Sequence, residues 1–245
     1  MNNNRKPLGR KSYGSIAHLP NSRLGEGDHC CSEGQARIAT EKKRDRRDLI
    51  IVQEKLDGSN VGVAKLNGEI LPLTRAGYLA NTSPYKMHHI FYDWVLKQRE
   101  RFDELLKEGE RVCGEWMLVA HGTRYKLPHE PFVVFDLMTD TERIVYDEFV
   151  LRVESLEFII PKLISRGEPL SIEKALQGVE TSGHGAIDQV EGCVWRVERN
   201  HLQKDGSRKH IVDFLVKYVR PDKVDGLYLG GEEEIYNEIL VPNSI

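Results

Sequence analysis

The chain has 245 residues, 40% hydrophobic and 30% charged, with a formal net charge of −3. That fits a soluble globular protein of one large or two small domains, and bulk charge does not announce a nucleic-acid partner. No apolar run approaches the roughly 20 residues that a bilayer span needs, and the polar, basic start at residues 1–11 lacks an apolar signal core, so neither a membrane protein nor a secreted one is expected.

Residues 1–47 are rich in Gly, Asn, Arg and Ser and read as mostly loop, with a short ordered piece around residues 13–20. Within them Cys30 and Cys31 are adjacent, and with Cys113 and Cys193 they form no CxxC pair. A disulfide framework and a zinc ribbon are therefore not suggested, and the expected setting is reducing and cytoplasmic. Lys42, Lys43, Arg44, Arg46 and Arg47 form a basic cluster, which a solvated loop before a strand explains.

Strand signals then become dense. Residues 49–53 are a β-branched apolar run, and residues 61–66 and 69–74 flank Asn67-Gly68, a strong two-residue hairpin turn. Between Lys86 and Leu106 apolar residues recur at helical spacing, which predicts one long helix closed by Gly109. Residues 111–119 and 131–138 read as buried strands, and 147–156 and 171–177 as helices. Two more strands, 188–198 and 210–219, are joined by a turn at Asp205-Gly206. The pattern is α+β, with antiparallel sheets and flanking helices rather than βαβ units. No GxGxxG follows a strand and no Walker A loop is present, so any bound nucleotide would need another kind of phosphate site.

The sharpest string is Glu54-Lys55-Leu56-Asp57-Gly58-Ser59-Asn60, between two predicted strands. A lysine there suits a nucleophile whose amine must be neutral to attack, which predicts a site that lowers its pKa by burial or a nearby cation. Gly58 suits an unusual backbone angle. An ordinary exposed turn is the competing explanation, because Asp-Gly is common in hairpins. Four fixed residues in this pattern arise by chance about once in several hundred chains of this length, at roughly 5% usage per residue type. The order of further strings decides between the two.

Those strings are Leu73-Thr74-Arg75-Ala76-Gly77, Gly114-Glu115-Trp116, Val133-Val134-Phe135-Asp136-Leu137, Val190-Glu191-Gly192-Cys193-Val194 and Phe214-Leu215-Val216-Lys217-Tyr218. Together with the lysine string they resemble, in order, motifs I, Ia, III, IIIa, IV and V of the covalent nucleotidyltransferases: DNA ligases, RNA ligases and mRNA capping enzymes. Asn60 is similar to the RNA ligases, where the other two usually have Arg. Residues 13–20 also resemble a stretch ahead of motif I in some bacterial-type RNA ligases.

The resemblance implies an ATP-grasping α+β nucleotidyltransferase domain with the nucleotide in the groove between antiparallel sheets. It implies ATP and Mg²⁺ or Mn²⁺ as cofactors. Lys55 would form the phosphoramidate with AMP. Asp57 would lie near the ribose or the hydrated metal, and Glu191 would help hold the metal's waters. Arg75 would meet the ribose or a phosphate. Glu115 would accept from a ribose hydroxyl, Phe135 would stack on adenine and Lys217 would pair with the α-phosphate. Glu54 would read the adenine edge, and Asn60 would complete the nucleotide site. Without the resemblance, Phe135 is by default a core residue, Glu191-Gly192 a strand start and Lys217 the polar face of a strand. His29 with Cys30 and Cys31 has poor spacing for a metal. His88 and His89 are expected to cap or face the long helix.

Two departures stand out. Motif V in many ligases has two lysines two positions apart, and here the earlier position is Leu215, with Arg208 and Lys209 upstream as substitutes. After Lys217 no OB-fold domain is expected, and an acidic run, Glu232, Glu233 and Glu234, follows. The expected organisation is a loop-rich extension over 1–47 and a nucleotidyltransferase domain over 48–245. The expected partners are RNA ends or nicks, an RNA/DNA hybrid, and a partner protein for substrate capture, with no membrane. The alternatives are a related transferase with another acceptor (DNA ligase or capping type) and a nucleotide- or RNA-binding module without turnover.

Overall fold

The computed structural model describes residues 6–203, 205–229 and 234–241. Glu232 and Glu233 of the acidic run, and the first five residues of the polar start, lie outside these; Glu234 is exposed.

One five-stranded sheet contains β1 (Ala17–His18), β2 (Leu49–Lys55), β9 (Leu163–Gly167), β10 (Gly192–Leu202) and β11 (Arg208–Val219), in the order β1-β11-β10-β2-β9. The other contains β3 (Ser59–Leu66), β4 (Glu69–Thr74), β5 (Glu110–Trp116), β7 (Phe132–Thr139) and β8 (Glu142–Arg143), in the order β4-β3-β5-β7-β8. A small parallel pair joins β6 (Lys126–Leu127) to β12 (Glu238–Ile239). Within the two large sheets every pairing is antiparallel except β1 on β11. The chain crosses from the first sheet to the second between Lys55 and Ser59, so the lysine string is itself the crossing.

Each sheet is covered by helices on one face. Helices α2 (Lys86–Lys97), α3 (Arg99–Leu105) and α4 (Tyr146–Glu154) enclose a core with Phe91, Trp94, Phe102, Trp116, Phe132 and Phe149. Helices α1 (Glu33–Thr40) and α5 (Ile172–Gly178) cover the other sheet around Ala39, Val52, Ala175, Trp195 and Val197. Burying each large apolar side chain contributes about 1.5–3 kcal/mol, which fixes the register of every strand. Period-2 alternation does the rest. On β10, Cys193, Trp195 and Val197 enter the core, and Val194 and Arg196 face the groove. On β11, Val216 and Tyr218 enter the core, while Leu215, Lys217 and Val219 face the groove.

A buried charge network ties the elements together. Asp136 of β7 accepts hydrogen bonds from Tyr13 (2.6 Å), Arg143 (2.8 Å) and Arg196 of β10 (2.6 Å), and Arg196 also donates to Glu198 (2.8 Å). Both sheets and the N-terminal segment thus meet at one carboxylate. No described helix is long and apolar enough to cross a membrane.

The hairpin at Asn67-Gly68 forms as expected, with φ of 54° and 71° that suit a type I′ turn. The single long helix expected over 86–106 is two helices, because Gln98 leaves helical geometry (φ −110°, ψ 24°). The apolar stripe continues across that break, with Trp94 and Phe102 edge-on at 5.9 Å, so periodicity alone does not reveal it. The strand expected from residue 188 begins at Gly192 and extends to Leu202. Residues 6–47 are mostly loop but also form α1, whose signal is the capping box of Ser32 and Gln35 rather than an apolar stripe. The strand β9 was not expected. In the basic cluster, Lys43 pairs with the exposed Glu168, and Arg44 with Asp213 and the buried Asp48.

Candidate active site

Between the sheets lies a cavity of about 980 Å³, lined by Glu54, Lys55, Asp57, Asn60, Arg75, Glu115, Phe135, Glu191 and Lys217 among others. All the site residues expected from sequence therefore reach one cavity, from β2, the crossing, β3, the end of β4, β5, β7, and the paired β10 and β11.

Backbone register explains the convergence. Lys55 ends β2 opposite Gly192, which places it beside Glu191. Glu115 on β5 lies opposite Asn60 on β3. Lys217 on β11 lies opposite Val194 of β10 and beside His18 of β1.

Lys55 Nζ donates to Glu191 Oε2 at 2.5 Å. Burial works against the ammonium, but Glu191, Glu115 and Asp57 outweigh it and hold Lys55 above the ordinary lysine range. Burial, one source of the lowering expected from sequence, does act against the ammonium; the other expected source is a cation brought in with the nucleotide. Burial raises Glu115 to about 7, with Glu191 and Asp57 adding to the shift and Lys55 opposing it. Glu191 is raised for the same leading reason. Burial and the charge of Lys55 lower Lys217.

Gly58 does not have a positive φ, contrary to expectation. Its hydrogen is required by close approach: a Cβ there would sit 2.7 Å from the carbonyl oxygen of Trp116. The contact seats the crossing on β5, where Gly58 N donates to Glu115 Oε1 at 3.1 Å.

Asp57 Oδ2 accepts from Gly122 N at 2.9 Å and lies 3.5 Å from the buried ammonium of Lys223. Glu54 accepts from Ser182 Oγ (2.5 Å) and Gly183 N (2.8 Å), which fix its carboxylate at the cavity wall. Phe135 meets Tyr13 edge-on at 5.1 Å and leaves part of its ring to the cavity. Arg75 is exposed at the rim and reaches Ser15 Oγ at 3.3 Å. Asn60 Oδ1 is buried without a hydrogen-bond partner.

Sequence reasoning missed Asp28, His18, Arg23, His121 and Lys223. Asp28 pairs with His18 at 2.9 Å and lies 3.7 Å from Lys217 Nζ. The string over 13–20 was the available signal for His18; nothing local marks Asp28 or Lys223. The substitutes expected for Leu215 are elsewhere: Arg208 bonds Asn200 O and Lys209 pairs with Glu142, at the far end of β11. His88 and His89 both engage Ser83 ahead of α2, and His88 also lines the cavity.

Among the described residues no group of three or more His, Cys, Asp or Glu forms a metal cage. Asp57, Glu115 and Glu191 nevertheless all act on one lysine, Lys55. Sparse hard oxygen ligands of this kind fit Mg²⁺ or Mn²⁺ that keeps several waters and nucleotide oxygens.

The RNA ligase family model matches residues 48–219. No curated protein matches the chain. Among solved structures, one Naegleria gruberi RNA ligase is similar at a TM-score of 0.50 and 13% identity, covering 86% of this chain and 57% of that one. A Naegleria gruberi RNA ligase with ATP and Mn scores 0.47 at 16% identity, covering 70% and 50%. A putative ATP-dependent DNA ligase from Aquifex aeolicus scores 0.47 at 18% identity, covering 84% and 49%. The chain spans about half the length of these structures. With the family match covering most of its length, the chain belongs to the RNA ligase family.

Proposed function

We propose that this chain is an ATP-dependent RNA ligase that seals RNA 5′-phosphate and 3′-hydroxyl ends through a lysyl-AMP intermediate. The observation behind this is the meeting of Lys55, Glu115, Glu191 and Lys217 in one cavity, from strands far apart in sequence. Lys55 Nζ loses a proton and attacks the α-phosphorus of ATP; an N–P bond forms, and the bond to the bridging oxygen breaks with its electron pair leaving on pyrophosphate. Glu191, already hydrogen-bonded to Lys55, is the carboxylate in reach of that proton. A divalent cation, if bound with the nucleotide beside Asp57 and Glu191, would supply positive charge toward these carboxylates and the phosphates. Lys217, held by Asp28, balances charge on the α-phosphate. Glu115 orients the ribose, Phe135 faces the base, and Glu54 reads its edge. Asp57 and Glu191 are the residues that would face the hydrated metal, and Arg75 and Asn60 complete the nucleotide site.

The family match supports RNA as the acceptor. AMP passes to an RNA 5′-phosphate, and a 3′-hydroxyl then displaces it. The family match starts at residue 48, which supports 1–47 as an extension ahead of a 48–245 nucleotidyltransferase domain. Nicked RNA, RNA/DNA hybrids and a capturing partner protein belong to the same proposal. So does a reducing cytoplasmic setting, which the free, buried thiols of Cys113 and Cys193 favour. Sealing assays on 5′-phosphorylated RNA and matched DNA test the acceptor: joining of RNA supports it, and joining of DNA alone overturns it.

A further inference from the structure

The row of β11 side chains facing the cavity reads Leu215, Lys217, Val219, so Lys217 stands between two apolar neighbours. Same-face neighbours on a strand are about 7 Å apart. A triphosphate extending from Lys217 along this row therefore needs a cation from a neighbouring segment. The N-terminal segment runs beside β11 there. Leu19 N donates to Lys217 O at 2.8 Å, and four residues later Arg23 N donates to Val219 O at 3.0 Å. Arg23 thus stands one step beyond Lys217, and its side chain lines the cavity.

The guanidinium is incompletely satisfied. Its Nη1 lies 2.5 Å from Asp225 Oδ1, yet this nitrogen is buried and makes no hydrogen bond of acceptable geometry. Asp225 is 61% exposed against 30% for Arg23. With its carboxylate partner so open to water, the pair is held weakly and is readily exchanged. A phosphate oxygen offers the same guanidinium stronger, bidentate partners.

We propose that Arg23 is the second phosphate-binding cation of this site, gripping the β- and γ-phosphates that leave as pyrophosphate, with Asp225 occupying it until nucleotide enters. This rests on the proposed ATP-dependent reaction. It gives the chain a cation that the Leu215 position lacks, from a segment ahead of the nucleotidyltransferase motifs. The leaving group departs with its electron pair on the bridging oxygen, and Arg23 balances that charge without exchanging a proton.

The test uses the fact that two substitutions break one ion pair in opposite senses. Arg23→Gln removes the cation; Asp225→Asn releases it. Calorimetric titration of the whole chain with inorganic pyrophosphate and, separately, with AMP reads both. Arg23→Gln is expected to weaken pyrophosphate binding about 10- to 100-fold, the loss of charge-assisted hydrogen bonds, and to leave AMP binding within about twofold. Asp225→Asn is expected to tighten pyrophosphate binding, and Arg23→Lys to retain part of it. If both substitutions weaken pyrophosphate and AMP alike, the pair is a structural clasp and the inference is wrong. If Arg23→Gln leaves pyrophosphate binding unchanged but slows sealing of pre-adenylylated RNA, Arg23 serves the RNA phosphate, which also overturns it. Wild-type protein that binds neither ligand would overturn the ATP-dependent reading itself.

Discussion

Lys55 and Glu191, 136 positions apart in sequence, share a hydrogen bond of 2.5 Å at the junction of β2 and β10. The pair puts the nucleophile and a carboxylate in contact before any nucleotide is present. It also explains why the lysine is held as an ammonium: a buried amine beside three carboxylates gains more from charge than it loses by burial.

Glu191→Gln removes the proton acceptor nearest Lys55 while preserving shape. The expected outcome is self-adenylylation slowed about 100-fold or more, with thermal stability little changed. Single-turnover labelling with α-labelled ATP and a melting curve check both parts.

Glu115 gives a pH-dependent prediction. Its carboxyl titrates near 7 in the folded chain, against an ordinary 4.5, because burial disfavours the anion. The folded state therefore binds this proton more tightly than the unfolded state. The resulting stabilisation is full below pH 4.5 and is lost as pH rises to about 7. Glu115→Gln keeps an acceptor for Gly58 N but cannot ionise, so its melting temperature relative to wild type should rise between those two pH values. A constant difference across that window would contradict the assignment.

Phe135→Ala should weaken ATP binding about 5- to 150-fold, the loss of one base-stacking surface at ~1–3 kcal/mol. The fold should tolerate it, because Phe135 packs at the rim of a small cluster with Tyr13 and Ile16, not in either main core. Equilibrium binding with ATP, and a denaturation curve for the same variant, separate the two effects.

Arg196→Ala should destabilise the chain strongly. It leaves Asp136 and Glu198, both fully buried, without a shared cation, and breaking a buried ion network costs about 3–5 kcal/mol. Arg166→Ala, at an exposed pair with Asp147, should cost under ~1 kcal/mol. Urea denaturation of both variants gives the contrast.

Much of this site was legible in the sequence because each motif lies on a strand or at its end, where period-2 burial sets the register. Lys55, Glu115, Glu191 and Lys217 are charges in or at the ends of apolar strands, and such charges stand out. What was not legible depends on contacts across long loops. Asp28 reaches Lys217 because the chain ahead of β2 folds back along β11, and Lys223, which also donates to Gly122 O, reaches Asp57 from beyond the end of β11. Helix α1 has a cap but no wide apolar stripe, and the break at Gln98 is a backbone event inside an unbroken one. The motif shows which residue attacks, and only the fold shows that Glu191, Glu115 and Asp57 surround it.

The most direct test is covalent labelling of Lys55. Purified chain is incubated with α-labelled ATP and Mg²⁺ or Mn²⁺, denatured and resolved on a gel beside Lys55→Ala. The account predicts acid-labile label on the wild type and none on the variant, with pyrophosphate released in equal amount. Folded wild type that takes no label with either metal, or a Lys55→Ala variant that labels equally, would contradict it.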